Sequence, residues 1–184
     1  MGRLDGKVAL LTGATTGIGA VATELSRVYQ SPWPRDAVRV DVVNYANWAG
    51  AFTTLHPTRI TISSIDVRNQ NNAGLEILFH EASHGIIYKL RNALDTEYKK
   101  QGVRLPRRDL WHALLFYTTG EAVRRVIPNY VPYAEANGLW KSSWSMYIGP
   151  LKRDWQPYLD GRISFQAAIS NIVKDVGHPN NTAA

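Results

Sequence analysis

Residues 58–84 read TRITISSIDVRNQNNAGLEILFHEASH, and within them the chain changes from strand-like to helix-like patterning. Thr58 to Ser63 is rich in β-branched residues, which predicts a strand. Asp66 to Gly74 is polar and turn-like. From Gly74, apolar residues recur at Leu75, Leu78, Phe79, Ala82, Ile86 and Leu90, the spacing of one helix face, so a single helix is predicted over 74–94. Upstream lie strand signals at 7–12, 37–43 and 48–54, the last interrupted by Gly50. A helix predicted over 18–29 is ended by Ser31-Pro32-Trp33-Pro34. Downstream lie helix signals from Pro106 or Asp109 to Ile127, a shorter one over 150–158, and a last one over 164–176 with Gly177 as a cap. Strands first and helices afterwards favour an α+β fold, a short N-terminal β-sheet packed on a helical core, over a repeating βαβ fold.

A chain of 184 residues fits one domain spanning 1–184 and is long enough to bury a core without covalent staples. There are no cysteines, which excludes disulfides, thiolate metal sites and cysteine nucleophiles. The net charge is +6, but the basic residues are scattered and accompany no recognition motif, so no specific nucleic-acid partner is expected. The apolar run Val8 to Leu11 is far too short to span a bilayer; no membrane segment or leader is read, and a cytoplasmic location is expected. The tail over 178–184 is expected to be loose. Oligomeric state leaves no mark on the sequence.

The predicted helix over 74–94 carries His80-Glu81-Ala82-Ser83-His84. Residues four apart share a helix face, so two imidazoles can grip one ion while Glu81 reaches a water beside it. That donor set points to Zn2+ and to water activation, with Glu81 as the base. Gly85 follows at once and leaves room for another element to approach. Two histidines and a glutamate in an apolar helix are costly to bury without a partner.

A third ligand is required, and Glu121 is the best candidate, mid-helix beyond the apolar Leu114-Leu115-Phe116 run. His112, nine residues earlier, falls on the opposite face of an ideal helix and is set aside as a ligand. Tyr130, Tyr133, Tyr147, His112 and His178 could each stabilise an oxyanion; Tyr133, in the loop after the second long helix, is preferred. Asp66, Asn69, Asn71 and Asn72 read as turn formers and caps rather than as groups orienting ligands. Trp48, Trp140, Trp144 and Trp155 could line an apolar groove or fill the core, and His56 could border a groove.

His80, Glu81, His84 and Glu121 together resemble the gluzincin metallopeptidases, in which a downstream helix supplies a glutamate as the last ligand. The resemblance implies a zincin-like fold with a helical zinc-binding core over 34–177. It implies His80, His84 and Glu121 as ligands, Glu81 as general base, and an edge strand, at 58–63 or 48–54, that holds the substrate backbone. A peptide, or another small amide or ester, is the substrate it implies. From about Pro34 onward the chain is also similar to a family of bacterial proteins with no assigned activity.

Residues 2–24 look like the start of a short-chain dehydrogenase, with Gly13, Gly17 and Gly19 between a strand and a helix, where a dinucleotide pyrophosphate would sit. The likeness marks 1–30 as a dehydrogenase-like segment and ends there. No lysine stands four residues after Tyr88, Tyr98, Tyr117 or Tyr147, as that family's chemistry requires. No cofactor-binding residue is therefore assigned. The leading expectation is a zinc-dependent hydrolase; a non-catalytic protein stabilised by zinc and a reduced dinucleotide-binding protein are the alternatives.

Overall fold

A computed structural model describes residues 7–11 (backbone only), 17–34, 37–104 and 109–177. Strands β1 (Lys7–Leu11), β2 (Val38–Val43), β3 (Ala51–Thr54) and β4 (Arg59–Ser63) form one sheet in the order β1-β2-β4-β3. β1 runs antiparallel to β2, β2 parallel to β4, and β3 antiparallel to β4. Val38, Val40, Ile60 and Ile62 turn one face inward, as the alternation of apolar residues in β2 and β4 dictates. β3 takes an outer position, so one of its edges pairs with no strand among the described residues.

Helix α1 (Ile18–Tyr29) buries Val21, Leu25 and Val28 and packs on α4 (Leu110–Val126). α2 (Asn71–Ser83) lies against the sheet and α4. α3 (Tyr88–Gln101) ends at Gly102, whose φ of 67° is the left-handed cap that glycine adopts without strain. Beyond α4 come the short helices α5 (Tyr133–Ala136), α6 (Ser145–Pro150) and α7 (Gln156–Leu159), a π-helical turn over Leu151–Trp155 joining the last two, and α8 (Phe165–Gly177). The fold is α+β, as the order of strand and helix signals implied.

The helix predicted over 74–94 is two helices. α2 stops at Ser83, and a turn over 84–87 separates it from α3. A Cβ at Gly85 would lie 2.9 Å from Thr58 Oγ1, so the turn after α2 runs close against the β3–β4 connection. The small residue read from sequence after His84 does accommodate a neighbouring element. His80 and Glu81 thus occupy the last turn of α2, and His84 caps it with αR backbone angles. The motif is held at a helix end, facing an opening, rather than mid-helix.

Gly13, most of the glycine-rich turn and the tail from His178 lie outside the described residues. No described helix is long and apolar enough to cross a membrane.

Candidate metal centre

α2 and α4 run antiparallel. Gly120 of α4 lies beside Glu76, while Phe116 stacks on His80 at 3.8 Å between ring centroids and His112 reaches His80 and His84. Residues 112, 116 and 120 recur every four positions and form the face of α4 that meets α2. The side-chain nitrogens of His80, His84 and His112 all lie within 4.8 Å of one another. His80 Nε2 and His112 Nε2 are 3.1 Å apart. Two ligands about 2.1 Å from a tetrahedral ion stand roughly 3.4 Å apart, so this spacing fits a shared cation after a small adjustment.

Among the described residues, His112 rather than Glu121 joins His80 and His84 in the group that could hold an ion. The Glu121 carboxylate accepts a hydrogen bond from Arg124 Nη2 at 2.6 Å and lines a separate cavity with Pro132 and Trp140. His112 lies on the face of α4 that meets α2, whereas Glu121 turns toward Arg124. Nine residues also carry Glu121 about 13 Å along the axis from His112. In an antiparallel pair, only the N-terminal end of α4 lies level with the C-terminal end of α2. A histidine in the first turn of a buried helix, between Trp111 and the apolar 113–116 run, was the available signal.

Aromatic rings fix the imidazoles. Trp111 stacks on His112 at 4.8 Å and 20°, and Trp144 meets the same ring edge-on at 5.3 Å. Asp109 holds Trp144 there, accepting from its Nε1 at 2.9 Å and from the Tyr147 hydroxyl at 2.7 Å. Burial, reinforced by the neighbouring imidazoles, pushes His80 well below the ordinary histidine range. Burial likewise brings His84 and His112 down to about 4. All three are neutral near pH 7, the form that offers a lone pair to a metal. His80 Nδ1 is buried with no hydrogen-bond partner among the described residues.

Glu81 stands beside this group, its Oε2 3.9 Å from His84 Nε2. Thr53 of β3 approaches the same carboxylate, Oγ1 to Oε2 at 2.7 Å, and the Glu81 carbonyl at 2.9 Å. Burial pushes Glu81 up to about 7, with the Thr53 contact acting against it. The motif glutamate is thereby tied to the outer strand of the sheet.

One cavity of about 640 Å³ receives all these groups: His80, Glu81, His84 and His112 line it, and so does Tyr133. Trp48, Phe52 and Trp144 supply apolar wall, and this size suits a small ligand or part of a chain. Of the tryptophans weighed for a groove, Trp48 and Trp144 line this cavity and Trp140 the neighbouring one. Trp155 is core, donating to Thr118 Oγ1 at 2.9 Å. Asp66 caps a turn, accepting from the Arg68 N–H at 2.9 Å, as its reading as a turn former implied. Tyr130 and Tyr147 are engaged with Glu76 and Asp109, and His178 lies outside the described residues.

Tyr133 owes its place to Glu76, four residues before His80. Glu76 is fully buried, and its Oε2 accepts from the Tyr130 hydroxyl at 2.7 Å and the Tyr133 N–H at 2.8 Å. A Cβ at Gly120 would stand 2.7 Å from Pro132 Cβ, so the missing side chain lets this loop seat on α4. Stacking on Phe116 at 5.7 Å and 19° completes the placement.

Comparison with protein-family models, curated proteins and solved structures gives no match.

Proposed function

We propose that this chain is a metal-dependent hydrolase, most simply a zinc enzyme acting on peptide or related amide bonds. The observation that carries the reading is the convergence of three neutral imidazoles and a carboxylate on one cavity. Three imidazoles without a thiolate suit zinc, and three protein ligands leave a fourth position for water or substrate. A purely stabilising ion would call for a fourth protein ligand, and the group among the described residues supplies three. When bound, the ion would acidify a water and polarise the substrate carbonyl.

The chain's own residues supply the rest. Glu81, oriented by Thr53, accepts the water proton as the oxygen adds to the carbonyl carbon. It then returns that proton to the leaving nitrogen as the C–N bond breaks. Tyr133 faces the same cavity and donates its hydroxyl hydrogen toward the developing oxyanion. β3 borders the cavity through Ala51, Phe52 and Thr53, and its outer edge offers backbone groups to an extended peptide.

Metal analysis of protein purified without added ions tests the centre. Near one zinc per chain is expected, lost in His84→Ala and His112→Ala and retained in Glu121→Gln. Loss in Glu121→Gln with retention in His112→Ala would overturn the ligand set.

A further inference from the structure

A second concavity, of about 670 Å³, lies on the other side of His84. His56, His84, Tyr88, Arg91, Asn92 and Asp95 are among its lining residues. It shares Leu55 and His84 with the cavity that holds Glu81, so the two concavities meet at the metal centre. A substrate seated on the centre can therefore extend both ways, into the aromatic cavity and into this more polar groove.

Arg91 distinguishes the groove. Its guanidinium stacks on Trp111 with Cζ 4.7 Å from the ring centroid. Trp111 in turn stacks on His112 and meets His84 edge-on at 5.7 Å. The cation is thus held one ring away from two of the three histidines. Stacking orders a guanidinium without using its N–H groups. Among the described residues, no hydrogen bond or ion pair engages the Arg91 side chain. Asp95, one turn along α3 in the same groove, makes no ion pair with it. Arg39, Arg59, Arg68, Arg124 and Arg125, by contrast, all sit on carboxylates. An ordered fork of unused donors beside a cavity matches a planar anion, which it can bind through two parallel hydrogen bonds.

We infer that Arg91 forms an anion subsite beside the histidine centre and that the substrate carries a carboxylate which reaches it. The inference deepens the hydrolase reading and rests on it for the word substrate; the anion site itself stands on the geometry of Arg91. A peptide's carboxyl terminus and an acidic side chain present the same group. The aromatic cavity then takes the apolar part of the same molecule.

Binding in the Glu81→Gln background, which prevents turnover, tests this. Three peptides serve as probes: acetyl-Phe-Ala with a free terminus, acetyl-Phe-Asp amide, and the uncharged acetyl-Phe-Ala amide. Titration calorimetry should show at least one charged peptide binding about tenfold or more tighter than the uncharged one. Preference for the first identifies a carboxyl terminus, and preference for the second an acidic side chain. Arg91→Gln should abolish the preference, and Arg91→Lys should keep part of it, since the charge remains and the fork is lost. Equal binding of all three peptides, or a preference that survives Arg91→Gln, would overturn the inference. Zinc content measured on the same samples separates the two ideas. Metal present without anion preference removes the subsite alone; no metal removes the hydrolytic reading, while the Arg91-dependent preference is still read directly.

Discussion

Two carboxylates of α2, one mid-helix and one in its last turn, stand in opposite circumstances. Glu76 and Glu81 are both buried, and burial pushes both carboxyls up to about 7. Glu76 is closed in by Tyr130, the Tyr133 backbone and Gly120, so it fastens the 127–136 segment to the helix. Glu81, five residues on, opens into the cavity beside three histidines and is touched by a single hydroxyl. A raised carboxyl is therefore no mark of chemistry by itself. What separates the clamp from the candidate base is whether the group faces backbone or empty space.

Substitutions of the two carboxylates should separate the same way. The largest expected effect is Glu81→Gln, which removes the proton acceptor and should lower hydrolysis by about 10²–10⁴-fold, with metal content kept. Assays on a peptide mixture, beside metal analysis, read both; unchanged hydrolysis would erase the contrast.

Glu76→Gln should act on stability instead. Because its folded pKa lies above the ordinary glutamate value, Glu76 contributes stability that is fully present below about pH 4.5 and is lost as the pH rises to about 7. A shift of that size corresponds to about 3 kcal/mol across the window. Denaturant midpoints at pH 4.5 and 7.5 should differ less in Glu76→Gln than in the parent. A pH dependence identical in both would mean that Glu76 is not the group responsible.

Two glycines give finer tests of the same comparison. Gly120→Ala drives a Cβ to 2.7 Å from a proline ring atom that cannot rotate away. It should cost about 1–3 kcal/mol in thermal or denaturant unfolding, even after the gain in helix propensity. Gly85→Ala meets the Thr58 hydroxyl at 2.9 Å, which can turn aside, and should cost under about 1 kcal/mol. Equal costs would mean that the two contacts are packed with equal tolerance.

Much of this was legible in the chain as written. The period-two alternation of Val38, Val40 and Val42, the β-branched 59–63 segment and the helical spacing around residues 75–82 each predicted an element that forms. Local chemistry suffices for these, because a strand or helix must bury the face its pattern makes apolar. The histidine pair with its glutamate was equally local, since one helical turn relates all three. The break at Gly85 was not legible as a helix end, because it arises where Thr58, distant in sequence, presses on the chain.

The α+β class, the motif that spaces His80, Glu81 and His84 along one helical turn, and the kinds of side chain available to hold an ion all follow from the order of residues alone. The packing of the folded chain brings His112 rather than Glu121 beside His80 and His84, makes β3 the outer strand touching Glu81, and lays the Arg91 guanidinium on Trp111. The reason is physical. Within a helix, angular spacing follows from the backbone, but the axial register between two antiparallel helices depends on every residue packed between them. For α2 and α4 that includes the approach at Gly120 and the ring of Phe116, which set Glu76 level with Gly120 and the histidines level with the first turn of α4.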